Sequence, residues 1–227
     1  MAVAALDSQG GNINVSTLSY SVSAGTDRML VVMTSINQFA SSPTAPTGVT
    51  YGGQAMTLQE STTCSKIEIG IWTLNDAGIT AASSTTISVA GWSGRRHLWA
   101  KSFSGVEQST PAVNTATTGS NCGTLTLGGL NGIADGIGVG LWCVEVSGGT
   151  NLTATGDFTR LSEFDSVTTS NDDSTTGFMQ ITTTDTTTKT MNVSSSAGGN
   201  AFSGCAIMLQ PPIPFTGFAG YWGLRVA

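Results

Sequence analysis

The chain has 227 residues, only 10 % of them charged, and its formal net charge is −6 at pH 7. A chain of this length can bury a core without metal or disulfide support, and a hydrophobic fraction of 39 % is not typical of disorder. The acidic balance argues against nucleic-acid binding, which requires a basic patch to neutralise phosphates. We therefore expect a folded protein that binds no nucleic acid.

Apolar residues recur at period two along most of the chain, which predicts β-strands, and no window shows a sustained helical period. The first predicted strand alternates with a phase slip that indicates a bulge. Gly52 and Gly53 lie between two short alternating runs and predict a tight hairpin, since both can take positive φ. The predicted strands cover residues 12–22, 28–36, 49–58, 66–74, 85–89, 96–103, 124–127, 136–146, 158–164, 176–183, 187–193 and 201–209.

The strand predicted at 136–146 is the one around which the others are organised. Ile137, Val139, Leu141 and Cys143 share one face of it, and the other face carries small or aromatic residues. A strand that is uncharged on both faces belongs in the middle of a sheet. The glycines of the second face leave room for a large side chain, either Trp142 or a neighbour, to lie across them.

Short strands separated by turn signals predict an all-β fold, either an antiparallel sandwich or a barrel, and we favour the sandwich. No internal repeat is apparent, so we expect a single sandwich domain at 12–210. Residues 1–11 are expected to form an N-terminal arm and residues 211–227 an aromatic C-terminal tail.

The tail differs from the rest of the chain, because aromatic residues alternate there with glycines after the Pro211-Pro212 stop. Two interpretations stay open. The tail folds back over its own domain, or it docks on another subunit, since exposed aromatic residues are a liability in a soluble monomer. In the second case the assembly contacts are Phe215, Phe218, Tyr221 and Trp222.

The four cysteines have no spacing typical of a zinc site, and we expect no bound metal and no cofactor. Cys143 and Cys205 lie in apolar strand patterns and are predicted to be buried and reduced. Cys64 and Cys122 lie in polar loops, where we expect a disulfide that staples the loops, although the sequence alone cannot pair them.

No residue set of a known catalytic chemistry emerges, so we expect no enzyme. His97 is the only histidine and lies inside a strand pattern, which indicates an ordinary half-buried residue and no triad base. Glu145 with Glu163 or Asp165 is the only pair of carboxylates that could flank a glycosidic bond.

Two further sets of residues could bind ligands. The segment 171–173, Asn-Asp-Asp, has oxygens that suit a hard cation, but without a defined loop spacing it is more typical of a solvated turn. Trp72, Trp92 and Trp99 could stack on sugar rings, although most tryptophans in such sheets belong to the core.

Four segments, in their order and spacing, resemble a β-sandwich family, jelly-roll or lectin-like, of bacteriophage structural proteins and bacterial surface proteins. The resemblance covers about residues 12–210 and implies an antiparallel sandwich of jelly-roll type without a catalytic set. The loop at 167–174 and the aromatic tail depart from it. The segments are Asp27-Arg28-Met29-Leu30-Val31-Val32, Val49-Thr50-Tyr51-Gly52-Gly53-Gln54-Ala55-Met56, Ile71-Trp72-Thr73-Leu74 and Ser102-Phe103-Ser104-Gly105-Val106-Glu107-Gln108-Ser109-Thr110-Pro111.

Two functions fit these observations. The first is a virion structural protein on the particle surface, a capsid decoration protein or a head or tail fibre component, whose partners are other virion proteins and copies of itself. The second is a carbohydrate-binding or adhesin module for cell-surface glycans. We see neither a signal peptide nor a stretch that would insert into a membrane. That favours a virion protein assembled in the host cytoplasm over a secreted module.

Overall fold

The computed structural model describes residues 1–37, 43–64, 66–120, 124–146, 152–166, 173–195 and 201–212. Nearly all of this is antiparallel β-structure, as predicted, with one short helix among the described residues. The helix is α1, Asp76–Ala81. The strands are β1 Ala4–Ala5, β2 Gly10–Ile13, β3 Thr17–Ser19, β4 Met29–Asn37, β5 Gly48–Tyr51, β6 Gln54–Ala55, β7 Thr57–Cys64, β8 Ile67–Asn75, β9 Thr86–Ala90, β10 Arg95–Ser104, β11 Ala112–Ser120, β12 Thr124–Asn131, β13 Gly136–Val146, β14 Leu152–Gly156, β15 Thr159–Ser166, β16 Asp173–Thr183, β17 Thr188–Ser195 and β18 Phe202–Leu209.

The described strands form four sheets. Inner sheet 1 has the order β1-β10-β4-β8-β7, with β2 also paired to β10, and outer sheet 1 has the order β3-β9-β5-β6. Inner sheet 2 has the order β11-β18-β13-β16-β15, and outer sheet 2 has the order β12-β17-β14. Three apolar clusters lie between the sheets. Outer core 1 lies between outer sheet 1 and inner sheet 1, and outer core 2 lies between inner sheet 2 and outer sheet 2. The central core lies between the two inner sheets. The layers therefore follow one another as outer 1, inner 1, inner 2 and outer 2.

Strand β4 shows why the inner sheets are apolar on both faces. Its nine residues are all buried. Met29, Val31 and Met33 face the central core, and Leu30 and Val32 face outer core 1. The strand has no solvent side, so a continuous apolar run replaces the alternation of apolar and polar residues.

Strand β13 occupies the equivalent place in the second half of the stack, and its predicted central position is confirmed. It lies between β16 and β18. On one of its faces, alternate residues belong to the central core: Ile137, Val139, Leu141 and Cys143. The side chains across its glycines are not Trp142, however. Phe158 and Met208 close over Gly138, and Met191 closes over Gly140, whereas Trp142 lies over Gly177 of the neighbouring strand.

The two halves of the chain have the same strand order. Residues 10–104 (unit 1) and 112–209 (unit 2) each pair their first strand with their last in the inner sheet, β2 with β10 and β11 with β18. This is the jelly-roll arrangement of two packed sheets, so the predicted jelly-roll type is confirmed, but it occurs twice within residues 10–209, where one sandwich was expected. The strands of unit 1 correspond in order to those of unit 2: β2 to β11, β3 to β12, β4 to β13, β5 to β14, β7 to β15, β8 to β16, β9 to β17 and β10 to β18.

The contacts between the units are reciprocal. Asp27 and Asp135 each precede the central strand of their unit and have left-handed φ angles of 52° and 60°. The carbonyl of Asp135 accepts a hydrogen bond from the Val3 amide at 2.9 Å, and the carbonyl of Asp27 accepts one from the Val106 amide at 3.0 Å. Each valine precedes the first strand of one unit and donates its amide hydrogen to a carbonyl of the other unit. This exchange of equivalent hydrogen bonds is the pattern that an approximate two-fold relation between the units produces.

Two boundaries differ from the expectations. Residues 1–11 do not form an arm, because β1 and the start of β2 pair with β10 and Val3 is buried in the central core. The stretch 12–22 is not one bulged strand. Asn14, at a φ of 55°, ends β2 in inner sheet 1, and the chain crosses to β3 in outer sheet 1. The phase slip in the sequence marks a change of sheet.

Candidate functional site

A polar cluster lies within the central core, where it joins the two inner sheets. We define this central polar cluster as Ser35, His97, Cys143 and Thr176, all of which are completely buried. The Oγ1 of Thr176 lies 3.0 Å from the Oγ of Ser35 and 2.8 Å from the Nδ1 of His97. The thiol of Cys143 lies beside Ser35 and Thr176, whose hydroxyls partly offset the effect of burial on its pKa. Unit 1 contributes Ser35 and His97, and unit 2 contributes the other two.

Burial controls the ionisation of this cluster. Desolvation, assisted by the charge of Arg95, lowers the pKa of His97 to about 4, so the imidazole is neutral near pH 7. Its Nε2 is buried without a described partner. Desolvation also raises the pKa of Cys143 to about 11, so its thiol stays protonated and is a poor nucleophile. The cluster resembles a Cys-His pair in composition, but it is sealed between two sheets and acts as a polar connection between the units.

The other sequence-derived candidates are described only in part. Glu145 lies 3.6 Å from the Nζ of Lys66 and is largely covered. Glu163 and Asp165 belong to β15, but their side chains lie outside the described residues, so a pair with Glu145 stays a prediction. Residues 171–172 lie outside them as well. No group of three metal-binding side chains occurs among the residues that the structure describes.

The three tryptophans considered for sugar stacking are core residues. Trp99 stacks on Phe178 across the central core, with ring centroids 4.5 Å apart. Trp72 donates from Nε1 to the Oγ1 of Thr34 at 3.2 Å, and both are buried. Trp92 is only 6 % exposed and lies beneath the guanidinium of Arg96. None of these rings is free to stack on a sugar, and the core interpretation is confirmed.

The cysteine predictions are confirmed where the structure tests them. Cys143 and Cys205 are free and fully buried. Burial also raises the pKa of the Cys205 thiol well above its ordinary value. Cys122 lies outside the described residues, so its disulfide with Cys64 stays a prediction.

A cleft that sequence reasoning missed lies where the segment joining the two units crosses inner sheet 1. It has a volume of about 230 Å³. We call it the polar cleft, because none of its lining residues is charged and most are neutral hydrogen-bonding groups. The polar lining residues are Thr57, Gln59, Thr73, Asn75, Gln108 and Ser109. All four segments that the resemblance had singled out contribute lining residues, Gln108 and Ser109 among them, but nothing in the sequence predicted that they would form a cleft.

The outer sheets carry hydroxyl and amide groups on their solvent faces. On each one, three cross-strand neighbours form a row of uncharged polar side chains. The rows occupy corresponding strands of the two jelly rolls, so both ends of the stack present the same chemistry. They are Thr17, Ser88 and Thr50 on outer sheet 1, and Thr126, Asn192 and Thr155 on outer sheet 2.

The predicted assembly contacts fall in the tail. Phe215, Phe218, Tyr221 and Trp222 lie outside the described residues, whereas Pro211 and Pro212 are described and half-buried. The only helix in the described ranges is α1, and with six residues it is too short to cross a membrane.

Together these features define the class of protein: an antiparallel β-protein built from two jelly rolls stacked through a shared core. Compared with known proteins, the chain matches no family model, no curated protein and no solved structure.

Proposed function

We propose that the chain is a non-enzymatic structural protein of a bacteriophage virion. It is exposed on the particle surface as a capsid decoration protein or as a head or tail fibre component. The observation that carries the proposal is the tandem jelly roll with a shared core. Jelly rolls recur in viral capsid proteins and in lectins, so this is an argument from fold-level analogy, and the resemblance noted in the sequence points the same way.

The surface chemistry also supports a structural role. The outer faces carry uncharged hydroxyl and amide rows, and the cluster that most resembles a catalytic set is sealed inside the protein. Such a body suits repeated weak contacts on a particle. It assembles in the host cytoplasm with other virion proteins and with copies of itself.

The tail is the proposed assembly element. Each aromatic side chain buried on a partner contributes about 1.5–3 kcal/mol by apolar area. Ordering the glycine-rich segment costs roughly 1–2 kcal/mol per fixed backbone residue, so the net gain per copy is small. Repetition over symmetric subunits makes it sufficient.

The test compares three proteins in light scattering and in co-sedimentation with phage particles: the full chain, a truncation after Pro212, and a full-length variant with serine at Phe215, Phe218, Tyr221 and Trp222. We expect only the full chain to assemble and attach. If the truncated chain does both equally well, the tail contributes nothing to assembly and folds on its own jelly rolls. If no form associates with particles, the virion role is wrong.

A second candidate function is binding of cell-surface glycans. The specific observation that favours it is the polar cleft, an uncharged recess of a size suited to a small polar ligand. The two functions are compatible, because a particle-surface protein can also contact the host.

A further inference from the structure

The polar cleft has rigid walls, which is the first property expected of a binding site. Gln108 is held by three hydrogen bonds: its Oε1 accepts from the Asp76 amide at 2.7 Å, and its Nε2 donates to the carbonyls of Val106 at 2.7 Å and Arg28 at 3.3 Å. These bonds fix the segment joining the units against the end of inner sheet 1. The cleft is therefore present before any ligand arrives, and binding costs little reorganisation.

The hydrogen bonds within the wall also decide which atoms are left for a ligand. Asn75 uses its Oδ1 to cap α1, accepting from Gly78 at 3.1 Å, so its amide NH2 is left to donate. Gln59 uses its Nε2 to donate to Thr73 at 2.7 Å, so its Oε1 is left to accept. The hydroxyl of Thr57, an exposed residue, can do either. Donors and an acceptor thus line the same recess.

The charges around the cleft narrow the ligand class. The nearest guanidinium, that of Arg28, is paired with Asp76, and the carboxylate of Glu107 accepts from Ser109. An anionic or cationic ligand would find no uncommitted counter-charge among the described lining residues. A purely apolar ligand would strip water from the polar atoms that the wall leaves available, such as the Asn75 amide and the Gln59 side-chain oxygen, without replacing their hydrogen bonds. A neutral ligand with several hydroxyl groups satisfies both conditions.

The size of the cleft sets the length of the ligand. A volume of about 230 Å³ is below the range of about 300–1,000 Å³ typical of sites for drug-sized molecules. One ring fits, and the remainder of a longer molecule would lie outside. Pro111, which is half-buried, also lines the cleft, and its apolar ring can contact the carbon-bound hydrogens of a sugar ring.

We propose that the polar cleft binds one neutral, unmodified or N-acetylated sugar ring, as found at the end of a cell-surface glycan. The inference rests on the second candidate function and names its site and ligand class. Asn75 donates to ring hydroxyls, Gln59 accepts from them, and the segment joining the two jelly rolls closes one wall.

The experiment records amide NMR spectra of the full chain during titration with D-glucose, D-galactose and N-acetyl-D-glucosamine. D-glucosamine and D-glucuronic acid serve as cationic and anionic counterparts. A single ring held by a few neutral hydrogen bonds is expected to bind in roughly the millimolar range. We expect at least one neutral sugar to shift the resonances of residues 57–59, 73–75 and 108–109, and the charged sugars to leave them in place.

Two variants test the named atoms. Gln59→Ala removes the acceptor, and Asn75→Asp removes the donor while keeping an oxygen that can cap α1. Each is expected to weaken binding about fivefold, which corresponds to the loss of one net hydrogen bond. The matched control is Gln54→Ala, which removes a glutamine of β6 that bonds to Ala81 outside the cleft lining and should leave binding unchanged.

Each adverse outcome has a separate meaning. Equal binding of charged sugars, or unchanged binding by both variants, refutes the proposed recognition. Shifts confined to the outer sheets refute the cleft but leave glycan binding standing. If no sugar binds while the chain still attaches to particles, the inference fails and the virion proposal survives.

Discussion

The neutral imidazole of His97 makes the stability of the fold depend on pH in a predictable window. The unfolded chain binds a proton at this residue near pH 6.5, whereas the folded chain does so only near pH 4, because the ring is desolvated in the central core. Above pH 6.5 both states are neutral and the residue has no effect. Between pH 6.5 and pH 4 the unfolded state holds more protons, so stability falls as the pH falls.

The magnitude follows from the two pKa values. Their difference is about 2.5 pH units, and each unit corresponds to 1.36 kcal/mol, so the full loss is about 3 kcal/mol and is complete below pH 4. This is a large share of the roughly 5–15 kcal/mol that stabilises a typical domain. The ring is bonded to the hydroxyl of Thr176 and lies beside Ser35 in the sheet, and the charge that acts on it is the positive charge of Arg95, so an imidazolium would meet no negative partner.

The assay is urea unfolding of the wild-type chain and of His97→Gln at pH 7.5 and at pH 4.5. We expect the wild type to lose about 2–3 kcal/mol more than the variant between these values. Carboxyl groups titrate in both proteins and cancel in the comparison. A Glu68→Gln control should shift the pH dependence in the opposite sense, since burial raises the pKa of Glu68 and protonation there favours the folded state. Parallel pH dependence of wild type and His97→Gln would refute the assignment of a buried neutral histidine.

Two other predictions concern packing and thiol reactivity. Gly177→Ala should destabilise the fold by about 1–3 kcal/mol in the same urea assay, because the ring of Trp142 lies where the new methyl group would be. Gly48→Ala is the matched control, with no atom within 4 Å of its added carbon, and equal losses in the two variants would contradict the packing argument. Cys143 and Cys205 should resist a thiol reagent in the native protein and react after unfolding, as mass spectrometry would record; rapid native labelling of either would show that the inner sheets open.

The inner strands were predictable from the sequence because burial on both faces leaves a simple signal. Strands β4, β13 and β18 are runs of apolar residues, and each lies within one or two residues of its predicted position. The hairpin at Gly52-Gly53 was predictable too, because its φ angles of 53° and 85° are those that glycine adopts without strain.

The strands that were missed carry a weaker signal. Strand β11, Ala112–Ser120, and strand β14, Leu152–Gly156, are rich in Thr, Ala and Gly, and little of their sequence alternates strongly enough to distinguish a strand from a loop. The polar cleft was equally hidden. Its lining residues come from four separated segments, and nothing marks its glutamines and asparagine in the sequence before the fold brings them together.

The repeat could not be recognised in the sequence, because equivalent positions of the two units are apolar in both but carry different residues. Along β4 the central core receives Met29, Val31 and Met33, and along β13 it receives Ile137, Val139 and Leu141. Any large apolar side chain satisfies such a position, so the pattern persists after identities have changed. The shared strand order therefore reveals a repeat that the residue identities do not show.

The reciprocal packing of the two units has a consequence for how a newly made chain selects its packing partner. Ser35 pairs with Ile69 in inner sheet 1, and the corresponding Cys143 pairs with Thr176 in inner sheet 2. Two copies of unit 1 packed face to face would therefore set an isoleucine where His97 needs the hydroxyl of Thr176. Each buried ring would lose its hydrogen bond, at a cost of about 1–3 kcal/mol.

During synthesis the first jelly roll emerges with the inner face of its sheet uncovered, an apolar surface that two neighbouring nascent chains could share. The hydrogen bond lost at His97 makes packing between two chains less stable, and so favours packing against the second jelly roll of the same chain. The buried polar cluster thus favours packing between the two halves of one molecule over packing between two copies of the first half.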